Sequence, residues 1–315
     1  MQLGEKTKNI LSLLFRFGLS ALLLFYLYTK IDVEKTANIV RTAELKYFFY
    51  ALATFLVLHS FLIFRWRLYI VALGIEASLL KLWRFFFLGL FGNLFLPSAI
   101  GGDVIKTVGL CSNSSQKPAV VGSVLLDRLS GFAGMVVVAT VAFILGFRYI
   151  NDLSLSISIV GMAVVSVTTA FVLFNEKVYS FCCRIFSAFP KFKSALMNMH
   201  YDVVLLKDNK ITIVKAVSMS CLGQIFLAVT FYFIAKALHQ DISFIYFLIF
   251  VPLICVASSF PSIGGLGVRE AGTAFLFAKV GVASGVAVSM SLVNFLFMVI
   301  VGLFGWIFFM VTKTD

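Results

Sequence analysis

Apolar runs of about twenty residues, enough to cross a ~30 Å hydrocarbon core, occupy much of the 315-residue chain. They lie at 9–29, 47–65, 119–147, 153–174, 211–237 and 284–311, and each predicts a spanning helix. No soluble architecture absorbs them. The chain is 61% apolar and 13% charged, against about 25% charged for soluble domains. A compact soluble body keeps much of its area wet, whereas in a bilayer lipid replaces water as the solvent for apolar surface. The first run carries Arg16 and no small-residue cleavage site, so it reads as a retained helix rather than a signal peptide.

Two further apolar stretches, 83–110 and 242–281, are interrupted. The first contains NLFLPSAIGGD (Asn93 to Asp103) and the second SSFPSIGGLGVREAG (Ser258 to Gly272). Proline removes an amide donor and glycine favours non-helical backbone, so neither string continues a regular helix. Irregular backbone at membrane depth is tolerated only where protein or a watery cavity satisfies its polar groups. Each stretch is therefore expected to be a re-entrant helical hairpin of two half-helices. Asn93, just before the first break, is expected to cap its exposed carbonyls. The strings also match each other, Pro97-Ser98-Ala99-Ile100-Gly101-Gly102 against Pro261-Ser262-Ile263-Gly264-Gly265, with one residue deleted.

The 26 Lys and Arg against 14 Asp and Glu fall mostly in short connections, where they set topology and meet anionic headgroups rather than nucleic acid. The connection 175–210 is the longest and is rich in Lys. It is expected on the cytoplasmic face as an amphipathic surface segment. Working outward from it, both termini fall on the cytoplasmic side of the cell (inner) membrane. A unit at about 47–147 then pairs with a unit of opposite orientation at about 211–311. The fold expected is a single all-α polytopic membrane domain, with about six spanning helices and two re-entrant hairpins in an inverted repeat. Transporters with interrupted helices in corresponding halves bind substrate near the midplane.

Charges within such segments are costly and mark function. Here they are Asp103 and Lys106 after the first break, Asp127 and Arg128 within 119–147, and Arg269 and Glu270 after the second. One reading pairs these charges to hold the hairpins. The other turns Arg128 and Arg269 toward an anionic headgroup, because the guanidinium fork matches phosphate. Gly101, Gly102, Gly264 and Gly265 would then let a phosphate approach the free amides at the start of each second half-helix. Gln224 and Asn294 are expected to bond neighbouring helices, and His59 to pack. Arg65-Trp66-Arg67 reads as an interfacial anchor. The five scattered cysteines have no disulfide or zinc spacing, and no metal or cofactor is expected.

NLFLPSAIGGDVIK (Asn93 to Lys106), SVLLDRLSG (Ser123 to Gly131) and PSIGGLGVREAG (Pro261 to Gly272) resemble signature regions of a known family. It is the lysylphosphatidylglycerol synthetase/flippase transmembrane-region family, in its stand-alone, UPF0104-like form. The resemblance spans nearly the whole chain. It implies a membrane domain that moves lipids between leaflets, with Asp103, Asp127, Arg128, Arg269 and Glu270 as functional positions. Lys106 stands where relatives often carry Arg, which keeps the charge but loses the fork. No aminoacyl-transferase domain follows in this sequence, so the chain is not expected to make lysylphosphatidylglycerol itself.

The leading expectation is a lipid flippase acting on a phospholipid or an isoprenoid phosphate. Its partners would be an anionic lipid and either a second copy of the chain or a lipid-modifying enzyme. The alternatives are a membrane-embedded lipid-modifying enzyme, for which no catalytic motif stands out, and a non-transporting accessory subunit of envelope or lipid biosynthesis.

Overall fold

The computed structural model describes residues 33–95, 101–111, 116–146, 209–258 and 265–311, with scattered positions between 153 and 168. Every regular element among them is helical: α1 (Val33–Arg41), α2 (Leu45–Ala72), α3 (Leu79–Phe95), α4 (Gly101–Cys111), α5 (Lys117–Gly146), α6 (Lys210–Ala237), α7 (Phe244–Ala257), α8 (Val268–Ala278) and α9 (Ser284–Val311). Four of these, α2, α5, α6 and α9, run 28 to 30 residues with mean hydropathy of 1.8 to 2.4, long and apolar enough to cross a membrane. The protein is a helical membrane protein. The expected run at 9–29 and the connection at 175–208 lie outside the described residues, as does most of 153–174.

The four long helices start and stop near the apolar boundaries in the sequence, with one informative exception. The run expected to end at residue 65 continues as α2 to Ala72. Arg65 and Trp66 do not sit at an interface. They are buried, at 7% and 0% exposure, because polar partners inside the protein receive them; Arg67 alone of the three is exposed.

Both interrupted stretches resolve into pairs of shorter helices, α3 with α4 and α7 with α8. The 11-residue α4 and α8 and the 14-residue α7 reach only about 16 to 21 Å at 1.5 Å per residue. The breaks themselves, at 96–100 and 259–264, lie outside the described residues.

The chain divides into two compact units. One comprises residues 1–56, 84–105 and 226–315; the other comprises 57–83 and 106–225. In the first unit, α7 and α8 run antiparallel. Phe247 and Phe250 of α7 each lie 5.2 Å, centroid to centroid, from Phe277 near the end of α8. At the other end, Ala257 and Ile254 approach Gly272. α3 packs against α9 through glycines: a Cβ at Gly305 would lie 2.5 Å from Phe87 Cβ, and one at Gly302 would lie 3.3 Å from Phe91 Cα. Small residues bring membrane helices together because apolar side chains gain nothing by leaving lipid, while close backbone contact gains dispersion energy. Aromatic contacts between Phe91 and Trp306 and between Phe55 and Phe297 complete the seam. In the second unit α2, α5 and α6 meet around Tyr69, Leu126 and Ala216. A Cβ at Gly134 of α5 would lie 2.4 Å from Ser220 Cβ of α6, so the two helices touch there backbone to backbone.

Candidate functional site

The second break delivers a buried charge pair. Gly265 and Gly267 adopt φ of +79° and +86°, a left-handed geometry that costs other residues about 1–2 kcal/mol. They turn the chain sharply into α8, so that Arg269 and Glu270 occupy its first turn. Glu270 is 0% exposed and Arg269 6%, and a charge so enclosed must be paired.

The Glu270 carboxylate is fully engaged. Its Oε2 accepts the Gly267 amide at 2.6 Å, and its Oε1 accepts from Arg269 Nη2 and the Ser291 hydroxyl, both at 2.8 Å. Arg269 Nε donates to Ser291 Oγ at 2.9 Å and more weakly to Glu270 Oε1 at 3.2 Å. The guanidinium lies over the Phe295 ring, 5.1 Å from its centroid. Its Nη1 end meets, among the described residues, only the thioether of Met298, at 3.6 Å. One edge of the arginine fork is thus committed to carboxylate, and the other faces a weak acceptor. Asn294 lies between Ser291 and Met298 at helical spacing, which puts all three on one side of α9. It is buried, and its Oδ1 has no hydrogen-bond partner.

At the first break, Asn93 Oδ1 accepts the Gly102 amide at 2.7 Å. The expectation for Asn93 is thereby corrected: its side chain caps an amide of the second half-helix rather than carbonyls of the first. Gly102 is required sterically, since a Cβ there would lie 2.2 Å from the Gly89 carbonyl oxygen. Gly101, Gly102 and Asp103 are all buried. Both breaks belong to the same compact unit.

The second unit holds its own buried pair. Asp127, 4% exposed, accepts from Arg65 Nε at 2.6 Å. Arg65 Nη1 also donates to Ser220 Oγ at 3.1 Å, so one arginine ties α2 to both α5 and α6. Gly131 makes room for it, because a Cβ there would lie 2.9 Å from Nη1. Trp66 Nε1 donates to Ser123 Oγ at 3.2 Å, and buried Lys106 places its ammonium 5.6 Å from the Trp66 ring centroid. Arg128, adjacent to Asp127, lies on the exposed side of α5.

The residues expected from sequence therefore separate. Arg269 and Glu270 form one pair, and Asp127 pairs with a residue read as an anchor. Gly264 falls outside the described residues. Sequence reasoning missed Arg65, Ser220 and Ser291. A serine in an apolar helix carries little signal by itself, and Arg65 was hidden by a Trp-Arg context typical of interfaces. Gln224, expected to bond a neighbouring helix, leaves its buried Nε2 without a hydrogen-bond partner.

Comparison with known proteins places these motifs in context. A model of the lysylphosphatidylglycerol synthase TM region matches residues 13–305. The chain is also similar to a UPF0104 membrane protein of Pyrococcus horikoshii, 23% identical over 287 residues, which cover 83% of this chain and 85% of that relative.

Proposed function

The chain belongs to the lysylphosphatidylglycerol synthase transmembrane-region family, and on that premise we propose that it moves a phosphate-bearing lipid between membrane leaflets. The lipid is a phospholipid or an isoprenoid phosphate, and its anionic headgroup is held at the two helix breaks. In this reading α3–α4 and α7–α8 are re-entrant hairpins of opposite orientation within an inverted repeat. The protein lies in the cell membrane with both termini inside.

The observation that carries the proposal is the state of Arg269: buried, oriented by Glu270 and Ser291, with its Nη1 edge against a thioether. A headgroup phosphate offers that edge two charge-assisted acceptors in place of one weak sulfur contact. Amides of the first turns of α4 and α8 add positive potential near the breaks. The unpartnered Asn294 Oδ1 supplies an acceptor for a hydroxyl or ammonium elsewhere on the headgroup. Glu270 then acts as the resting counter-ion, so the site carries no uncompensated charge between substrates. Asp103 and the glycines flank the first break. Lys106, Arg128 and Asp127 belong to the other compact unit, where Asp127 serves chiefly to hold Arg65.

Lipid scrambling in proteoliposomes tests the reading, with fluorescent phosphatidylglycerol, an aminoacylated analogue and a fluorescent polyprenyl phosphate supplied in turn. Protein-dependent movement of one class names the substrate. If a folded preparation moves none of them, translocation is the wrong activity, and the enzyme and accessory-subunit alternatives take its place.

A further inference from the structure

In the second unit, α2 and α6 leave an open cavity of about 600 Å³ between them. Its wall is apolar: Phe64, Leu68 and Val71 from one stripe of α2, facing Met219 of α6. Phe64 and Val71 are 41% and 66% exposed, on a helix that is itself a membrane span. The lining from Phe64 to Ala72 covers about 12 Å of helix rise, the length of roughly ten methylenes.

Three polar residues also line the cavity: Arg67, Asn209 and Thr212. Arg67 is exposed and enters no hydrogen bond or ion pair with the described residues. Asn209 caps α6, its Oδ1 accepting the Thr212 amide at 3.3 Å and the Thr212 hydroxyl at 2.9 Å. With Oδ1 so engaged, the Asn209 amide keeps its Nδ2 donor for another acceptor. Two donors, one of them cationic, therefore share a cavity with an unfilled apolar wall. This pairing of charge and grease matches a lipid with an anionic headgroup and an acyl chain.

We propose that the α2–α6 groove is a second lipid site, which binds one anionic diacyl phospholipid of the surrounding membrane. Arg67 and Asn209 hold its phosphate, and Phe64, Leu68, Val71 and Met219 hold a chain. It is separate from the Arg269 site and does not depend on the translocation reading.

The test uses the full-length protein in nanodiscs with photoactivatable lipids carrying a diazirine on one chain. One arm contains the phosphatidylglycerol probe and the other a phosphatidylcholine probe with the same tails; labelled peptides are mapped by mass spectrometry. The expected result is labelling in 64–72 and 209–219 favouring phosphatidylglycerol by about fivefold, the factor for one basic residue at an anionic surface. Arg67→Gln, an exposed change that leaves the packed core alone, brings the two probes level. Leu68→Trp fills the wall and lowers labelling by both probes, while the double variant Arg269→Gln/Glu270→Gln leaves it unchanged. Equal labelling by the two probes in the unaltered protein overturns the proposal. So does a preference that survives Arg67→Gln, or an absence of lipid label in the groove, as when protein fills it.

Discussion

Arg65 and Asp127 form the clearest single-residue case, because each is buried and each is the other's counter-charge. Breaking one half of such a pair strands a charge and costs about 3–5 kcal/mol, whereas replacing both halves with apolar side chains is often neutral. Asp127→Ala should therefore lower the thermal midpoint in detergent sharply, and Arg65→Met with Asp127→Leu should recover most of it. A single variant as stable as the parent would show that the pair contributes nothing. Asp127 stood out in the sequence by its depth in an apolar run, as a candidate headgroup residue, whereas Arg65 was assigned to the headgroup region as an anchor; the structure pairs the two. An Arg-Trp-Arg string looks the same whether it ends a span or passes through one; only the positions of Ser220 and Gly131 in space distinguish the two. Arg269 and Glu270 were legible because they follow directly on a Pro-Gly break. Ser291, which bonds both, lies more than twenty residues away on α9 and left no local trace.

At the scale of elements, close helix contact depends on a few glycines. Gly102→Ala puts a methyl on the Gly89 carbonyl, and Gly305→Ala puts one on Phe87. Each should cost about 1–3 kcal/mol as overpacking. Gly223→Ala, where the added carbon meets only Leu62 at 3.4 Å, should be tolerated. Thermal unfolding of the three variants side by side checks the ranking. The outer ends of α2 and α6 are joined differently. The Glu44 amide donates to the Ala237 carbonyl, and Lys236 pairs with Asp241. Hydrogen bonds from Lys46 and Lys236 hold the Glu44 and Asp241 carboxyls below their usual ranges. Folded values depressed in this way give a contribution that is complete above the unfolded values and fades as pH falls through the folded ones. Amide protection in 42–46 and 238–243, taken relative to the intrinsic exchange rate at each pH, should thus fall below about pH 4 and hold steady above it; protection independent of acid would contradict the pairing. Hydropathy gave the ends of the four described long helices to within two residues, apart from the continuation of α2 to Ala72, because a bilayer demands length and apolarity that nothing else in the chain imitates. It was silent on which helices touch, since that depends on glycine spacing and not on apolarity.

For the whole molecule, composition alone settled the class: a chain this apolar has one solvent available to it. The compact units were not legible. Each draws on segments from both halves of the chain, and four helices, α2, α3, α4 and α6, pass from one unit to the other, so no stretch of sequence marks their boundary. The proposed function rests on a narrower base, the buried arginine at the second break in a member of the lysylphosphatidylglycerol synthase transmembrane-region family. Its most direct test is scrambling of the lipid that the unaltered protein moves, repeated with Arg269→Gln/Glu270→Gln. That double change removes both charges at once and leaves no stranded ion to unfold the break. At equal thermal stability, the account predicts that the initial rate falls at least tenfold, the loss of about 1.4 kcal/mol of headgroup binding. A folded double variant that scrambles at the parent rate would contradict it.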